Sequence, residues 1–240
     1  MSLRHALVTG ANRGIGLGFA RQLLVDGWHV VATCRQPGRA TDLNMLAGEH
    51  PGRLHVLPLD VAEPKSHAEL VRELPLVLDG RDDDRPGRID LLVNNAGVLH
   101  SGERFGSLSA ANFEDSLRIN AIGPLLFTQS LAPSLSEGAR ILNLSSRLGS
   151  ITLTTRFGTP SYDISKAALN MATVLLARAL EERGIVVVAI SPGWVRTDMG
   201  GSDGEVAVDD AVAGMLQVAS RLQPVDNGRF LDWQGKLVPW

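Results

Sequence analysis

The feature that most constrains this chain is a rhythm. Short β-type runs alternate with helical stretches from end to end, and most of the runs are continuously apolar, with little in/out alternation. The spacing predicts strands at His5–Thr9, His29–Cys34, 54–59, Ile89–Asn94, 139–145, 185–191 and a last one near 229–232. A strand wetted on one face alternates apolar and polar residues, whereas a strand covered on both faces has no reason to. Between the runs, Ile15, Phe19 and Leu23 recur at helical spacing, as do Met171, Leu175 and Leu176. Strands buried on both sides and separated by helices imply an α/β chain: a doubly wound, mostly parallel seven-stranded sheet with helices on both faces.

Bulk properties narrow the classes. A chain of 240 residues with 44% hydrophobic content can bury one sizeable core, so a single domain spanning 1–240 is expected. Basic and acidic residues number 23 and 26, a net charge of -3, which leaves no global basic field for nucleic acid or an anionic membrane. One cysteine, Cys34, excludes an internal disulfide framework and a multi-cysteine metal site, and no metal site is expected. Met1 to His5 leads straight into a short apolar run ending at a glycine turn, and no apolar run is long enough to span a bilayer. A cytoplasmic protein without membrane insertion is the expectation. The mixed-sign stretch 79–88 reads as a solvated connection between a helix and a strand.

The first strand-to-helix turn is Thr9-Gly10-Ala11-Asn12-Arg13-Gly14-Ile15-Gly16, a G-x-x-x-G-x-G spacing. Glycine permits the tight turn and lets backbone N–H groups at a helix N-terminus approach a pyrophosphate with no Cβ in the way. With a strand before and a helix after, this turn reads as the dinucleotide-binding turn of a Rossmann fold. The second strand ends Ala32-Thr33-Cys34-Arg35, without the acidic residue that would hold a ribose 2′-hydroxyl. Arg35, with Arg13, offers guanidinium forks suited to a 2′-phosphate, so NADPH is favoured over NADH, although each arginine alone is compatible with an ordinary surface. Asp60 and Val61 follow the third strand, where the carboxylate could accept from an adenine amino group or cap the next helix. Asn94-Asn95-Ala96-Gly97 closes the fourth, where short residues let a ribose lie against the backbone or simply make a turn.

Tyr162 and Lys166, four apart at the start of a helical pattern, share one helix face. A cation held near a phenol favours the phenolate and lowers its pKa from about 10, which makes Tyr162 a candidate general acid. Isolated pairs of this spacing are also common on surface helices.

Taken in order, the glycine turn, Asn94–Gly97, Asn120, Ser145-Ser146, Tyr162-x-x-x-Lys166 and Ser191-Pro192-Gly193-Trp194-Val195-Arg196-Thr197 resemble the short-chain dehydrogenase/reductase family from the first strand to the last. Trp194 to Gly201 and the ending Asn227 to Trp240 resemble its branch of C-factor and sniffer-type carbonyl reductases. The resemblance implies an NADPH-dependent oxidoreductase that reduces a ketone or aldehyde to an alcohol, with Tyr162 giving its proton to the carbonyl oxygen as hydride arrives. Ser146 would bond the same oxygen while Ser145 faces the sheet. Lys166 would hold the ribose hydroxyls and tune the tyrosine, and the Asn120 main chain would bind a relay water. Gly10, Asn12, Arg13, Gly14, Ile15, Gly16, Arg35, Asp60, Val61, Asn94, Ala96 and Gly97 would contact the cofactor early in the chain. Tyr162, Lys166, Pro192, Gly193, Val195 and Thr197 would do so later.

The short, glycine-rich segment 198–208 stands where a substrate-covering loop would and is expected to be mobile, over an open site. The interval from Ser146 to Tyr162 is longer than in many members and hides the substrate wall. His100 reads as a surface histidine. A homodimer or homotetramer is expected, with the helices around 112–131 and 162–182 as candidate contacts. A nucleotide-binding signalling protein of C-factor type, in which turnover is not the main role, stays open as the alternative.

Overall fold

The apolar runs do form strands. In the computed structural model, which describes residues 4–78 and 87–240, they are β1 (His5–Thr9), β2 (His29–Cys34), β3 (Leu54–Pro58), β4 (Ile89–Asn94), β5 (Leu135–Leu144), β6 (Val186–Ser191) and β7 (Phe230–Asp232). They pair in the order β3-β2-β1-β4-β5-β6-β7, each pairing parallel. The order turns back between β1 and β4, and at that switch point the carboxyl ends of neighbouring strands open a crevice.

Helices α1 (Gly14–Val25), α2 (Thr41–Glu49), α3 (Pro64–Val77), α4 (Ala110–Leu117), α5 (Gly123–Leu131), α6 (Pro160–Ala179) and α7 (Val208–Arg221) complete the fold. Strand residues divide alternately between two cores, which explains the unbroken apolar runs. Ala6 and Val8 join Phe19 and Leu23 of α1 and Met215 of α7, whereas Leu7 joins Leu70 of α3, Phe127 of α5 and Leu176 of α6. Each such leucine or phenylalanine contributes roughly 1.5–3 kcal/mol by leaving water. Gly18 lets α1 and α7 close up, since a Cβ there would lie 2.7 Å from Val208 Cγ1.

The differences from the expected strands have local causes. β5 begins at Leu135, because Leu135 pairs with Ile89 before a register shift, and the intervening Ser136-Glu137-Gly138 breaks the apolar pattern. β3 stops at Pro58, and β6 and β7 each start one residue later than expected. Of the charged connection 79–88, residues 79–86 lie outside the described residues. Among the described residues no helix is long and apolar enough to cross a membrane, and no group of three His, Cys, Asp or Glu is placed to hold a metal.

Candidate active site

The glycine turn and the end of β4 are one structural unit. Gly10 (φ 64°) and Gly14 (φ 53°) occupy left-handed backbone that side chains rarely adopt. A Cβ on Gly10 would stand 2.9 Å from Ala96 Cα, so glycine is needed for the approach of the two loops. Thr9 Oγ1 accepts from the N–H groups of Asn95 and Ala96, both at 3.0 Å, and Asn95 Nδ2 donates to the carbonyls of Thr9 and Gly10 at 2.8 and 3.0 Å. Gly16 lies beneath the turn, where a Cβ would run into the Gly10 carbonyl and the Asn95 amide.

Above this unit opens a cavity of about 1140 Å³, larger than the roughly 300–1,000 Å³ typical of small-molecule sites. One end is bordered by Gly10, Asn12, Arg13, Gly14 and Ile15 of the turn, with Arg35 and Arg39 beyond β2. Asp60 and Val61 flank it, and Asp42 is a second carboxylate there. The middle runs past Ala96 and Gly97. The lining continues with Ser146, Tyr162 and Lys166 and with Pro192, Gly193, Val195 and Thr197, the last returning beside the turn, where a Cβ on Gly14 would lie 3.5 Å from Thr197 Cγ2.

Tyr162 and Lys166 sit on the buried face of α6, as their spacing predicts. Lys166 Nζ lies 5.4 Å from the centre of the Tyr162 ring and donates to the Leu144 carbonyl at 2.7 Å. Burial pushes the Tyr162 phenol up to about 12, against a hydrogen bond with Ser146 that lowers it, while the Asp163 carboxylate adds to the rise. Burial also pushes Lys166 down to about 8. The expectation of a lowered tyrosine pKa is therefore corrected for the protein by itself. Desolvation of the phenolate outweighs a cation that is itself poorly solvated and aimed at a carbonyl. The outcome still suits an acid, because the phenol keeps its proton across the neutral range.

Asn120 lies in a π-helical turn, Arg118–Ile122, between α4 and α5. Its Oδ1 accepts from Val98 N at 2.8 Å, and its Nδ2 donates to Val98 O and Ser165 Oγ, both at 2.9 Å. Ser165 in turn donates to the Tyr162 carbonyl at 2.7 Å. The side chain thus ties the β4 loop to the helix of Tyr162, and the π-turn disturbs the regular main-chain bonding beside it.

After β6, Gly193 takes a φ of 82°. The segment 198–208, expected to be mobile, is tied back: Trp194 Nε1 donates to Gly200 O at 2.7 Å, and Arg196 N to Val206 O at 3.0 Å. Asp198 meets Arg13 at 2.8 Å in an exposed ion pair across the cavity mouth.

Two expected cofactor contacts, Gly16 and Asn94, and the expected relay residue Asn120 do not border the cavity. Gly16 is the floor under the turn. Asn94 is buried, with Nδ2 donating to Thr128 Oγ1 at 3.1 Å and to Asn143 Oδ1 at 2.8 Å, because an inward-facing β4 side chain cannot also reach the crevice. Asn120 points into its own network. Ser145, expected to face the sheet, donates to Asn170 Oδ1 of α6 at 2.6 Å and also borders the cavity. His100 pairs with Asp115 at 2.9 Å, away from the cavity lining. Sequence reasoning missed Arg39, Asn95, Leu148 and Met199, all of which border the cavity. Arg39, four residues after Arg35, was the one with a readable signal.

Comparison with known proteins agrees with this geometry. The short chain dehydrogenase family model matches residues 4–206. The C-signal of Myxococcus xanthus is 44% identical over 156 residues, 64% of this chain and 94% of that protein. An NADPH-bound carbonyl reductase from chicken fatty liver is 40% identical, with a TM-score of 0.91 and all of both chains covered. The carbonyl reductase Sniffer of D. melanogaster is 31% identical, with a TM-score of 0.92 over 99% of this chain and 100% of its own. With a parallel sheet, a glycine turn and a Ser-Tyr-Lys cluster meeting at one cavity, and with a family match across most of its length, this chain belongs to the short-chain dehydrogenase family and is an oxidoreductase.

Proposed function

We propose that the protein is an NADPH-dependent carbonyl reductase that converts a ketone or aldehyde to an alcohol. The observation that carries this reading is the convergence of Ser146, Tyr162 and Lys166 on the same cavity that Arg13, Arg35 and Arg39 border around a glycine turn. The residues fit the dinucleotide: Gly10 and Gly14 present no Cβ to a pyrophosphate approaching the turn, and the arginines suit a 2′-phosphate. The NADPH-bound neighbour supports the same choice. When bound, the reduced nicotinamide supplies the hydride.

Tyr162 holds its proton at neutral pH and gives it to the carbonyl oxygen as that oxygen gains negative charge. Ser146 donates to the same oxygen and fixes its distance from the phenol. Lys166 holds the ribose hydroxyls. The Asn120 main chain binds a water that returns a proton toward Tyr162, a role supported by its fully engaged side chain and its π-turn. Val195 and Thr197 orient the carboxamide.

The reading places the enzyme in the cytoplasm as one domain, supported by a single buried, unpaired cysteine and one continuous sheet. It also places the protein in a homodimer or homotetramer, supported by Ile122, Ile164, Met171 and Leu175 exposed on and beside α5 and α6. Purified protein should oxidise NADPH in the presence of small ketones, aldehydes or quinones. No consumption across such a panel would sink the reading. The likeness to C-signal favours a second reading, a nucleotide-binding signalling protein. A Tyr162→Phe variant that binds NADPH and supports a normal cellular phenotype would favour it.

A further inference from the structure

The interval from Ser146 to Tyr162 leaves the cavity and returns to it, so whatever fixes this stretch shapes the space a substrate enters. Helix α6 holds its near side. Asn170 Nδ2 donates to Gly149 O at 3.1 Å, and a Cβ on Gly149 would lie 2.7 Å from the Lys166 carbonyl carbon.

The end of the chain holds its far side. Ser150, almost fully buried, donates from Oγ to Pro239 O at 2.7 Å. Thr152 donates twice to Trp240 O, from its backbone N at 2.9 Å and from Oγ1 at 2.6 Å. The Trp240 ring stacks on Phe230 of β7, with centroids 5.5 Å apart and planes 22° from parallel. Leu153 packs on the small core of Ala189, Phe230 and Val238. Just before this clamped turn, Leu148 borders the cavity that Tyr162 and Ser146 share.

We propose that Pro239 and Trp240 form a positioning brace for the substrate wall, and that this brace sets which carbonyl compounds bind. It holds the turn 150–154 from outside, so that Leu148 presents a fixed surface to the substrate. Ordering a long connection costs conformational entropy at every residue, and a turn held by main-chain oxygens almost ninety positions away in sequence is ordered by that partner. No residue of the brace or of the turn 150–154 borders the cavity. The brace therefore acts on substrate placement and leaves the cofactor and the proton donor alone. The assignment of a substrate rests on the carbonyl reductase reading.

The test compares Trp240→Ala, the double variant Ser150→Ala/Thr152→Val, and the conservative Trp240→Phe, using NADPH and a bulky aromatic ketone. Trp240→Ala removes the stacking on Phe230, and the double variant removes the two side-chain hydrogen bonds to the main chain of Pro239 and Trp240; each should raise KM for the ketone about tenfold. Their kcat and NADPH Kd should stay within about twofold of wild type, the pattern of lost substrate positioning. Trp240→Phe keeps the stacking and should keep the wild-type KM. Amide exchange across 147–157 should quicken in the first two variants only, and this readout needs no turnover. Unchanged KM and exchange would overturn the brace, and so would parallel losses of kcat, cofactor affinity and thermal stability. Were the wild type to reduce no carbonyl, the functional reading would fall, and the exchange measurement would still support or overturn the brace.

Discussion

At the scale of single residues, charge and solvation set the behaviour of Tyr162 and Lys166. Folding removes the Lys166 ammonium from water and lowers its pKa to about 8, from 10.5. Between these values the unfolded chain binds a proton that the native protein does not, so stability rises with pH through this window. The penalty carried below pH 8 is roughly 2–4 kcal/mol. Tyr162 acts oppositely: its folded pKa is about 12 against 10, so above pH 10 the unfolded chain releases its proton first and stability falls. Denaturant melts from pH 7 to 10 should show the wild type gaining stability relative to Lys166→Met, and parallel curves would contradict the assignment. Arg35 carries a separate prediction. Arg35→Asp should weaken NADPH at least about tenfold more than NADH, since it replaces a phosphate partner with a like charge, and equal losses measured by cofactor titration would remove the 2′-phosphate role. Residue types and spacing were enough to single out Tyr162, Lys166 and both arginines, whereas Ser146 stood out only through the family resemblance. The inward turn of Asn94 and Asn120 was not legible, because a motif names residues without saying which way each side chain points.

At the scale of elements, the β1 turn, the β4 loop and α1 are interlocked through Thr9 and Asn95. Gly16→Ala would push a methyl group into the Gly10 carbonyl and the Asn95 amide. It should cost about 1–3 kcal/mol by overpacking and abolish NADPH binding, as read by thermal unfolding and by quenching of the tryptophans. Gly48, in α2 with open space around it, gives the opposite expectation. Gly48→Ala should stabilise the protein by roughly 0.5–1 kcal/mol through helix propensity and unfolded-state entropy. Strand existence was readable because burial on both faces leaves an unbroken apolar run. The first residues of β5 were hidden because Ser136, Glu137 and Gly138 interrupt that run, while pairing with β4 holds them in the sheet.

At the scale of the whole molecule, one parallel sheet gathers residues from Gly10 to Thr197 along its carboxyl edge, which is how a strand-and-helix rhythm becomes a site. The order of motifs made that convergence legible. The contact of Pro239 and Trp240 with the Ser150 turn was not, since nothing local in either segment specifies so distant a partner. Assembly is tested at this scale too. Sedimentation should find a dimer or tetramer for the wild type, and Met171→Glu/Leu175→Glu should give a folded monomer; a monomeric wild type would contradict the proposed interface. The central claim, that Tyr162 is the proton donor of an NADPH-dependent carbonyl reduction, is tested most directly by single-turnover kinetics of NADPH oxidation in wild type and Tyr162→Phe at saturating carbonyl. The account predicts a loss of about 10²- to 10⁴-fold in the rate of oxidation with NADPH affinity unchanged. Turnover in the phenylalanine variant at the wild-type rate would contradict it.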